Sequence, residues 1–247
     1  MTRTETALPE VVAPAQWRAA RIELLAKEKE FTKARDALAA ERRRLPMEEV
    51  TADYAFTGPA GEVRLPDLFE GRRQLLIYHF MFDPDWDEGC PSCSFLADNI
   101  GHLSHLHARD TTLALVSRAP YPKLAAYQER MGWVVPWYSS AGSDFNYDFR
   151  VTYDPAKGST EYNYRDRADA PDWQGWTGES PGTSAFLREG DQVFHTYSSY
   201  ARGGDLMIGT YNWLDLTALG RQEGWEQPPG RSDSPEIMGW LHRHDQY

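Results

Sequence analysis

Cysteine is nearly absent from this chain, since Cys90 and Cys93 are the only two among 247 residues. Two cysteines three positions apart exclude a fold that depends on several structural disulfides. Long apolar runs are also missing, because no stretch reaches the roughly 18 residues that a membrane-spanning helix needs. Basic residues are fewer than acidic ones, with 26 Lys and Arg against 37 Asp and Glu, which gives a formal net charge of −11. We therefore expect neither a nucleic-acid nor a membrane partner.

Residues 1–15 lack the basic start and the apolar segment of a secretory signal. The sequence therefore predicts a cytoplasmic protein. In that compartment, an isolated Cys-x-x-Cys pair is more often redox-active or metal-binding than a structural bridge.

The Cys pair follows an apolar run and precedes a helical pattern. Residues 74–82 favour a buried strand, while Leu96, Ile100 and Leu103 recur at the spacing of a helix over about residues 93–109. This order places Cys90 at or near a helix N-terminus, where unpaired N–H groups and the positive end of the dipole favour a thiolate.

Strand and helix patterns alternate through the centre of the chain. They predict a hairpin near residues 54–65, a strand at 111–117, a helix at 122–131 and a strand at 133–138. A second hairpin is expected at 184–188 and 192–197, and a last helix at 206–219. Alternating strands and helices imply right-handed crossovers and an α/β fold with a central parallel unit.

The two ends of the chain differ from this centre. Residues 1–46 are predicted to form a helical arm whose apolar stripe, Trp17, Leu24, Phe31 and Leu38, repeats every seven positions. We expect this arm to join two copies into a homodimer. The main domain is predicted to span 47–226, with an aromatic-rich insertion at about 144–182, and 227–247 to form an irregular tail.

Dithiol chemistry is the leading interpretation of the Cys pair. Cys90 would be the attacking thiolate and Cys93 would resolve the mixed disulfide, without a cofactor. The expected partner is a thiol or disulfide substrate, either a small molecule or a protein. The acidic residues Asp83, Asp85, Asp87 and Glu88 oppose a thiolate at Cys90, so the net electrostatic effect is open. A peroxidase would carry a Thr or Ser at position 87 and a Pro at position 83, where this chain has Asp at both.

Metal binding is the alternative from another class. Cys90 and Cys93 together with His79 or His195 would suit copper or zinc. His102 and His105 share a polar helix face and are interpreted as solvent-exposed. A third hypothesis is a small-molecule binding module without turnover, in which the aromatic insertion covers a pocket.

Four segments resemble a bacterial thioredoxin-like family of unknown function, whose members are labelled predicted dithiol-disulfide oxidoreductases. They are residues 27–36, Gly89-Cys90-Pro91-Ser92-Cys93-Ser94, 139–148 and 194–203, within a resemblance that covers about residues 15–225. The resemblance implies a thioredoxin-like central sheet flanked by helices. Such proteins carry a cis-proline immediately before the strand that faces the Cys pair, and Pro181 lies slightly early for that position.

Overall fold

The structure is a computed structural model that describes residues 8–229, 231–232 and 234–247. Its helices are α1 (Pro14–Arg42), α2 (Pro91–Asp98), α3 (Ser104–His107), α4 (Tyr121–Met131), α5 (Phe145–Asp148) and α6 (Gly209–Leu214). None of the helices in these residues combines the length and apolar character needed to cross a bilayer.

The strands are short except for those at the centre of the main sheet. They are β1 (Glu48–Glu49), β2 (Ala55–Gly58), β3 (Gly61–Arg64), β4 (Gln74–His79), β5 (Thr111–Ser117), β6 (Trp137–Ser139), β7 (Thr152–Tyr153), β8 (Glu161–Tyr162), β9 (Arg165–Asp166), β10 (Gly178–Glu179), β11 (Gly182–Glu189) and β12 (Gln192–Tyr200). Single 3-10 turns or short 3-10 segments occur at Leu65–Phe69, Pro155–Lys157, Pro171–Trp173, Ala201–Met207 and His244–Gln246.

The central sheet has the strand order β1-β12-β11-β4-β5-β6-β2-β3. Strands β4, β5 and β6 are parallel, and β11 pairs antiparallel with β4 and with β12. The chain segments that contain α2, α3 and α4 connect the parallel strands, as β-α-β crossovers require. A parallel unit of this kind joined to an antiparallel hairpin is a thioredoxin-like α/β arrangement, which confirms the expected fold class.

The chain divides into two compact units. One contains Met1–Pro46 and Trp213–Gly239, and the other contains Met47–Asn212 and Trp240–Tyr247. The sheet and the Cys pair belong to the second unit. In the first unit, no residue of α1 is buried, and the stripe residues Trp17, Leu24, Phe31 and Leu38 are all exposed.

The helix expected over residues 93–109 is interrupted. Asn99 ends α2: its side-chain amide donates to the Phe95 carbonyl (2.7 Å), and its oxygen accepts hydrogen bonds from the Thr210 N–H (2.7 Å) and hydroxyl (2.9 Å). A long-range contact therefore overrides the helical spacing. The strand expected at 133–138 is shorter, beginning only at Trp137, and the helix expected at 206–219 is reduced to α6 after a 3-10 segment.

The insertion is an ordered layer of short strands and stacked rings. Its strand β7 pairs with β10, and β8 pairs with β9. The rings of Tyr162 and Trp173 stack at 5.7 Å, and those of Tyr153 and Trp176 at 5.6 Å. Some of the aromatic residues that distinguish this segment in the sequence therefore pack on one another, while others join the buried core cluster of the main sheet.

Candidate active site

Cys90 is the N-cap of α2, and Pro91 occupies the first helical position. Proline suits that position because its fixed φ matches the helix and its missing N–H would have no intrahelical partner. The Cys90 N–H donates to the Met81 carbonyl at 3.1 Å, and the Cys90 carbonyl accepts from the Ser94 N–H at 2.9 Å. Both backbone groups of Cys90 are therefore hydrogen-bonded. The sequence-based placement of Cys90 at a helix N-terminus agrees with this geometry.

The loop from Phe80 to Gly89 joins β4 to the Cys pair and is anchored along its length. The Ala119 N–H donates to the Phe82 carbonyl (2.8 Å), and the Lys123 ammonium donates to the carbonyls of Pro84 and Trp86 (2.7 Å each). At Gly89, a Cβ would stand 2.7 Å from the Phe80 ring and 2.9 Å from the Tyr127 ring. Only glycine fits there without displacing these rings.

The two sulfur atoms have different surroundings. Both cysteines are free thiols; Cys90 is partly exposed and Cys93 is fully buried. A hydrogen bond from the Cys93 thiol is the main reason why the pKa of Cys90 is lowered to about 6. The Ser92 hydroxyl lies 3.1 Å from the Cys90 sulfur, and the N–H groups of Cys93 and Ser92 lower this pKa further. Cys90 is therefore the thiol that ionises first.

Cys93 has the opposite tendency. Burial raises its pKa well above that of a free thiol, and the neighbouring Cys90 raises it further. Two donors partly offset these effects, namely the Tyr78 hydroxyl and the Met81 N–H, which lies 3.4 Å from the sulfur. Burial together with the nearby Cys93 also raises the pKa of Tyr78. Tyr78 was not singled out by the sequence, although its position on the strand before the Cys pair was the available signal.

The acidic loop opposes the Cys90 thiolate less than its charge count implies. Arg130 and Arg243 both pair with Glu88. Asp83 has the Arg118 guanidinium 3.8 Å away. Two of the four carboxylates thus have a cationic neighbour. The pKa of Cys90 is lowered rather than raised, mainly by the hydrogen bond from Cys93, so the acidic loop does not prevent a thiolate at this position.

Arg243, in the last segment of the chain, binds the residues directly before Cys90. Its guanidinium donates to the Gly89 carbonyl (2.7 and 3.2 Å) and to the Tyr127 hydroxyl (2.9 Å), and it pairs with Glu88 at 2.8 Å. Tyr127 in turn meets the Ser94 hydroxyl at 3.0 Å, and Ser94 donates to the Cys90 carbonyl. Sequence reasoning missed Arg243, because no periodic pattern marks an irregular segment that packs on a distant loop.

The structure does not bring the candidate metal histidines to the Cys pair. Successive residues of a strand face opposite sides of a sheet, so His79 lies on the side opposite Tyr78 and Cys93. There His79 Nε2 contacts the Ser184 hydroxyl (2.8 Å), Ser184 contacts Ser198 (2.8 Å), and Ser198 contacts His195 Nε2 (2.7 Å). His79 and His195 are thus joined to each other through two serines.

This polar chain has a preferred proton arrangement. His195 Nδ1 faces Glu48 at 3.9 Å, so a proton on Nδ1 leaves Nε2 to accept from Ser198. Ser184 then donates to Ser198 and accepts from His79 Nε2–H, which leaves His79 Nδ1 as an unprotonated lone pair. That atom is buried and has no hydrogen-bond partner among the residues that the structure describes. Burial also lowers the pKa of His79 to about 3, so both observations indicate a neutral ring.

Within residues 8–229, 231–232 and 234–247, no three His, Cys, Asp or Glu side chains form a group that could hold a metal ion. His102 and His105 are both exposed, although His102 lies in the break between α2 and α3 and so does not share a helix face with His105. A copper or zinc site made of Cys90, Cys93, His79 and His195 therefore has no geometric support.

A cavity of about 310 Å³ lies beside His195. Glu48, Tyr54, Asp148 and Phe149 are among the residues that line it. None of its lining residues is a cysteine, and Phe149 stacks on His79, on the side of the sheet opposite Cys93. The cavity is thus separate from the dithiol.

The segment before β11 lies close to the Cys pair. Thr183 of β11 pairs with Tyr78 of β4, and Tyr78 contacts Cys93. Gln227–Pro228 is the cis peptide bond found in the described residues, so the Ser180–Pro181 bond is trans. Pro181 therefore does not supply the cis-proline that the resemblance implies.

Over residues 6–247, the chain matches a family described as "Bacterial protein of unknown function (DUF899)". It belongs to this family. A search of curated proteins finds no match to this DUF899 chain.

Several solved structures are similar to this DUF899 protein. The bacterioferritin comigratory protein of Xanthomonas campestris, studied for alkyl peroxide reduction, is 15% identical with a TM-score of 0.43, covering 68% of this chain and 96% of its own. A cysteine-to-serine mutant of PrxQ from Xylella fastidiosa is 11% identical with a TM-score of 0.45, and the match covers 69% of this chain and 97% of the mutant's chain. Peroxidoxin BcpB from Mycobacterium tuberculosis is 16% identical with a TM-score of 0.42, and the match covers 67% of this chain and 95% of the BcpB chain. The fold assignment rests on the strand order and connections of this chain itself.

Proposed function

We propose that this DUF899 protein is a dithiol-disulfide oxidoreductase that uses Cys90 and Cys93. The observation that carries the proposal is the asymmetry of the two thiols. Cys90 is partly exposed with a pKa of about 6, whereas Cys93 is buried with a raised pKa. A thiolate at neutral pH beside a protonated partner is the arrangement that thiol-disulfide exchange requires.

The reaction proceeds in two balanced steps. The Cys90 thiolate attacks a substrate disulfide, which forms a mixed disulfide and releases the first substrate thiolate, which takes up a proton. Cys93 then loses its proton and attacks the Cys90 sulfur, which forms the Cys90–Cys93 disulfide and releases the second substrate thiol. Two electrons pass from the protein dithiol to the substrate, and the reverse sequence oxidises a substrate dithiol.

The pH dependence of Cys90 alkylation tests this proposal. We expect the alkylation rate of Cys90 in the reduced protein to reach half its maximum near pH 6. Cys93→Ala removes the hydrogen bond that contributes most to this low pKa, so the midpoint should rise. Ser92→Ala, which removes a weaker donor, should raise it less. Mass spectrometry after brief alkylation measures both effects.

Two results would contradict the proposal. One is a midpoint near that of a free thiol in the wild-type protein, and the other is the absence of a Cys90–Cys93 disulfide after equilibration with a thiol-disulfide buffer. Adding copper or zinc to the same samples tests the alternative, because stoichiometric metal binding would block alkylation of both thiols.

A further inference from the structure

The backbone that leads into β11 is the place where an extended substrate could lie beside the Cys pair. A polypeptide binds such a segment by pairing with free N–H and C=O groups, as in strand addition. The segment ends at Pro181, two residues before Thr183, which is the cross-strand neighbour of Tyr78, so it lies at the same end of β4 as the dithiol. Whether its polar groups are free therefore decides what kind of substrate can reach Cys90.

The insertion already occupies several of these groups. Gly178 and Glu179 form β10, which pairs with Tyr153 and Thr152 of β7. The Ser180 N–H donates to the Val151 carbonyl at 2.7 Å.

The last carbonyl before β11 is also occupied. The Tyr162 hydroxyl donates to the Pro181 carbonyl at 2.9 Å and accepts from the Ala201 N–H at 3.0 Å. Tyr162 is buried, and its ring stacks on Trp173. Proline itself has no N–H to offer. The segment from Gly178 to Pro181 thus pairs with the chain's own insertion.

Two further parts of this chain pack on α2. The 3-10 segment Ala201–Met207 brings Gly204 against Leu96, where a Cβ would lie 3.6 Å from a Leu96 methyl group. On another side, Trp240 contacts Phe95 with ring centroids 5.8 Å apart, and Arg243 binds the Gly89 carbonyl.

We infer that the site takes low-molecular-weight disulfides and excludes extended polypeptides, because the insertion pairs the backbone that a polypeptide would use. This inference rests on the proposed function. It assigns to the aromatic insertion the role of a specificity element.

A matched pair of reporter disulfides tests the inference in a single turnover. In one disulfide, a fluorophore thiol is linked to 2-mercaptoethanol; in the other, the same thiol is linked to the central cysteine of a neutral Ser/Thr peptide. Reduced full-length protein is mixed with each, and fluorophore release gives a rate. Dithiothreitol with the same two compounds corrects for their intrinsic reactivity. The corrected preference for the small disulfide should be about tenfold or more, since several main-chain hydrogen bonds are denied to the peptide.

Two variants connect the preference to the insertion. Tyr162→Phe uncovers the Pro181 carbonyl, so the peptide rate should rise relative to the small-disulfide rate by about three- to tenfold, the factor associated with one hydrogen bond. Tyr164→Phe is the control, because its hydroxyl binds the Ser198 carbonyl instead. Both variants keep the aromatic ring, and circular dichroism checks their folding.

Each outcome has a defined meaning. If no preference for the small disulfide remains after this correction, the inference is overturned while the dithiol function stays intact. An unchanged preference in Tyr162→Phe would overturn the role of the insertion. No reaction with either disulfide would overturn the proposed function, and the inference with it.

Discussion

Tyr78 connects the main sheet to the less reactive of the two thiols. It is buried on β4, and its hydroxyl donates to the Cys93 sulfur alongside the Met81 N–H. In the second step of exchange, Cys93 must lose its proton inside a buried site, where an unpaired charge is costly. Two donors aimed at the sulfur stabilise the thiolate that forms at this moment.

Replacing this donor should slow the second step selectively. Tyr78→Phe is expected to reduce the rate of mixed-disulfide resolution by about tenfold, as expected for a lost hydrogen bond to a charged atom. Alkylation of Cys90 should keep its pH midpoint. Rapid-quench mass spectrometry would show the mixed disulfide accumulating.

The control for this change is Tyr138→Phe, since Tyr138 lies on β6 and packs in the cluster that contains Leu75 and Ile77. If Tyr78→Phe resolves the mixed disulfide as fast as wild type does, the hydroxyl has no part in the step. An equal slowing of both steps would instead indicate a general disturbance of the site.

At the scale of elements, the last segment of the chain stabilises the loop before Cys90. Residues Trp240–Tyr247 belong to the same unit as the sheet. Arg243 is only 13% exposed and binds Gly89, Tyr127 and Glu88. Asp245 adds an ion pair with Arg130 (2.7 Å), and His244 meets Asp98 at 2.7 Å. The carbonyl directly before Cys90 is thus held by a residue more than 150 positions away.

Loss of this contact should loosen the loop. Arg243→Gln is expected to lower the free energy of unfolding by about 1–3 kcal/mol, because it removes the guanidinium donor of the Gly89 carbonyl and one of the two cations at Glu88. Amide hydrogen exchange should accelerate in peptides that cover residues 80–90. Arg109→Gln, a change at an exposed arginine, is the matched control. Unchanged exchange across residues 80–90 would show that the other anchors of the loop suffice.

Local patterns predicted those elements whose structure depends on nearby residues. Strand β5 was predicted with its observed bounds, because seven consecutive residues suited to a strand lie between clear breaks. The position of Cys90 at the start of α2 followed from the abutting strand and helix patterns. Arg243, Tyr162 and Asn99 were not identified, because each acts through a partner far away in sequence. Hydrophobic periodicity carries no information about such contacts.

Missing information about spatial contacts also explains why the sequence suggested a metal site that the structure does not support. His79 lies next to Tyr78, near the end of the strand before the Cys pair, so its nearness along the sequence suggests that it could share a metal ion with the two cysteines. Strand alternation places the two side chains on opposite faces of the sheet, where His79 joins a serine chain to His195. Face assignment needs the register of the strand, which the apolar run at residues 74–82 does not reveal, since nearly all of its members are apolar or aromatic.

At the scale of the whole molecule, α1 carries an exposed apolar stripe. Trp17 is 62% exposed and Phe31 67%, and Leu24 and Leu38 are each about half exposed. The helix has 29 residues and is roughly 44 Å long at 1.5 Å per residue. A second copy offers the same stripe, so two chains can cover each other's apolar residues in a symmetric pair.

We therefore expect the full chain to be a dimer at micromolar concentration, and Phe31→Gln to weaken it. Truncating a large apolar side chain at the centre of such a contact typically costs about 2 kcal/mol or more, a loss of more than tenfold in affinity. Lys29→Gln changes the opposite face of the same helix and should leave the dimer intact. Sedimentation velocity over a concentration series measures both variants. A monomeric wild-type chain, or equal dimer affinity in the two variants, would exclude the stripe of α1 from the assembly.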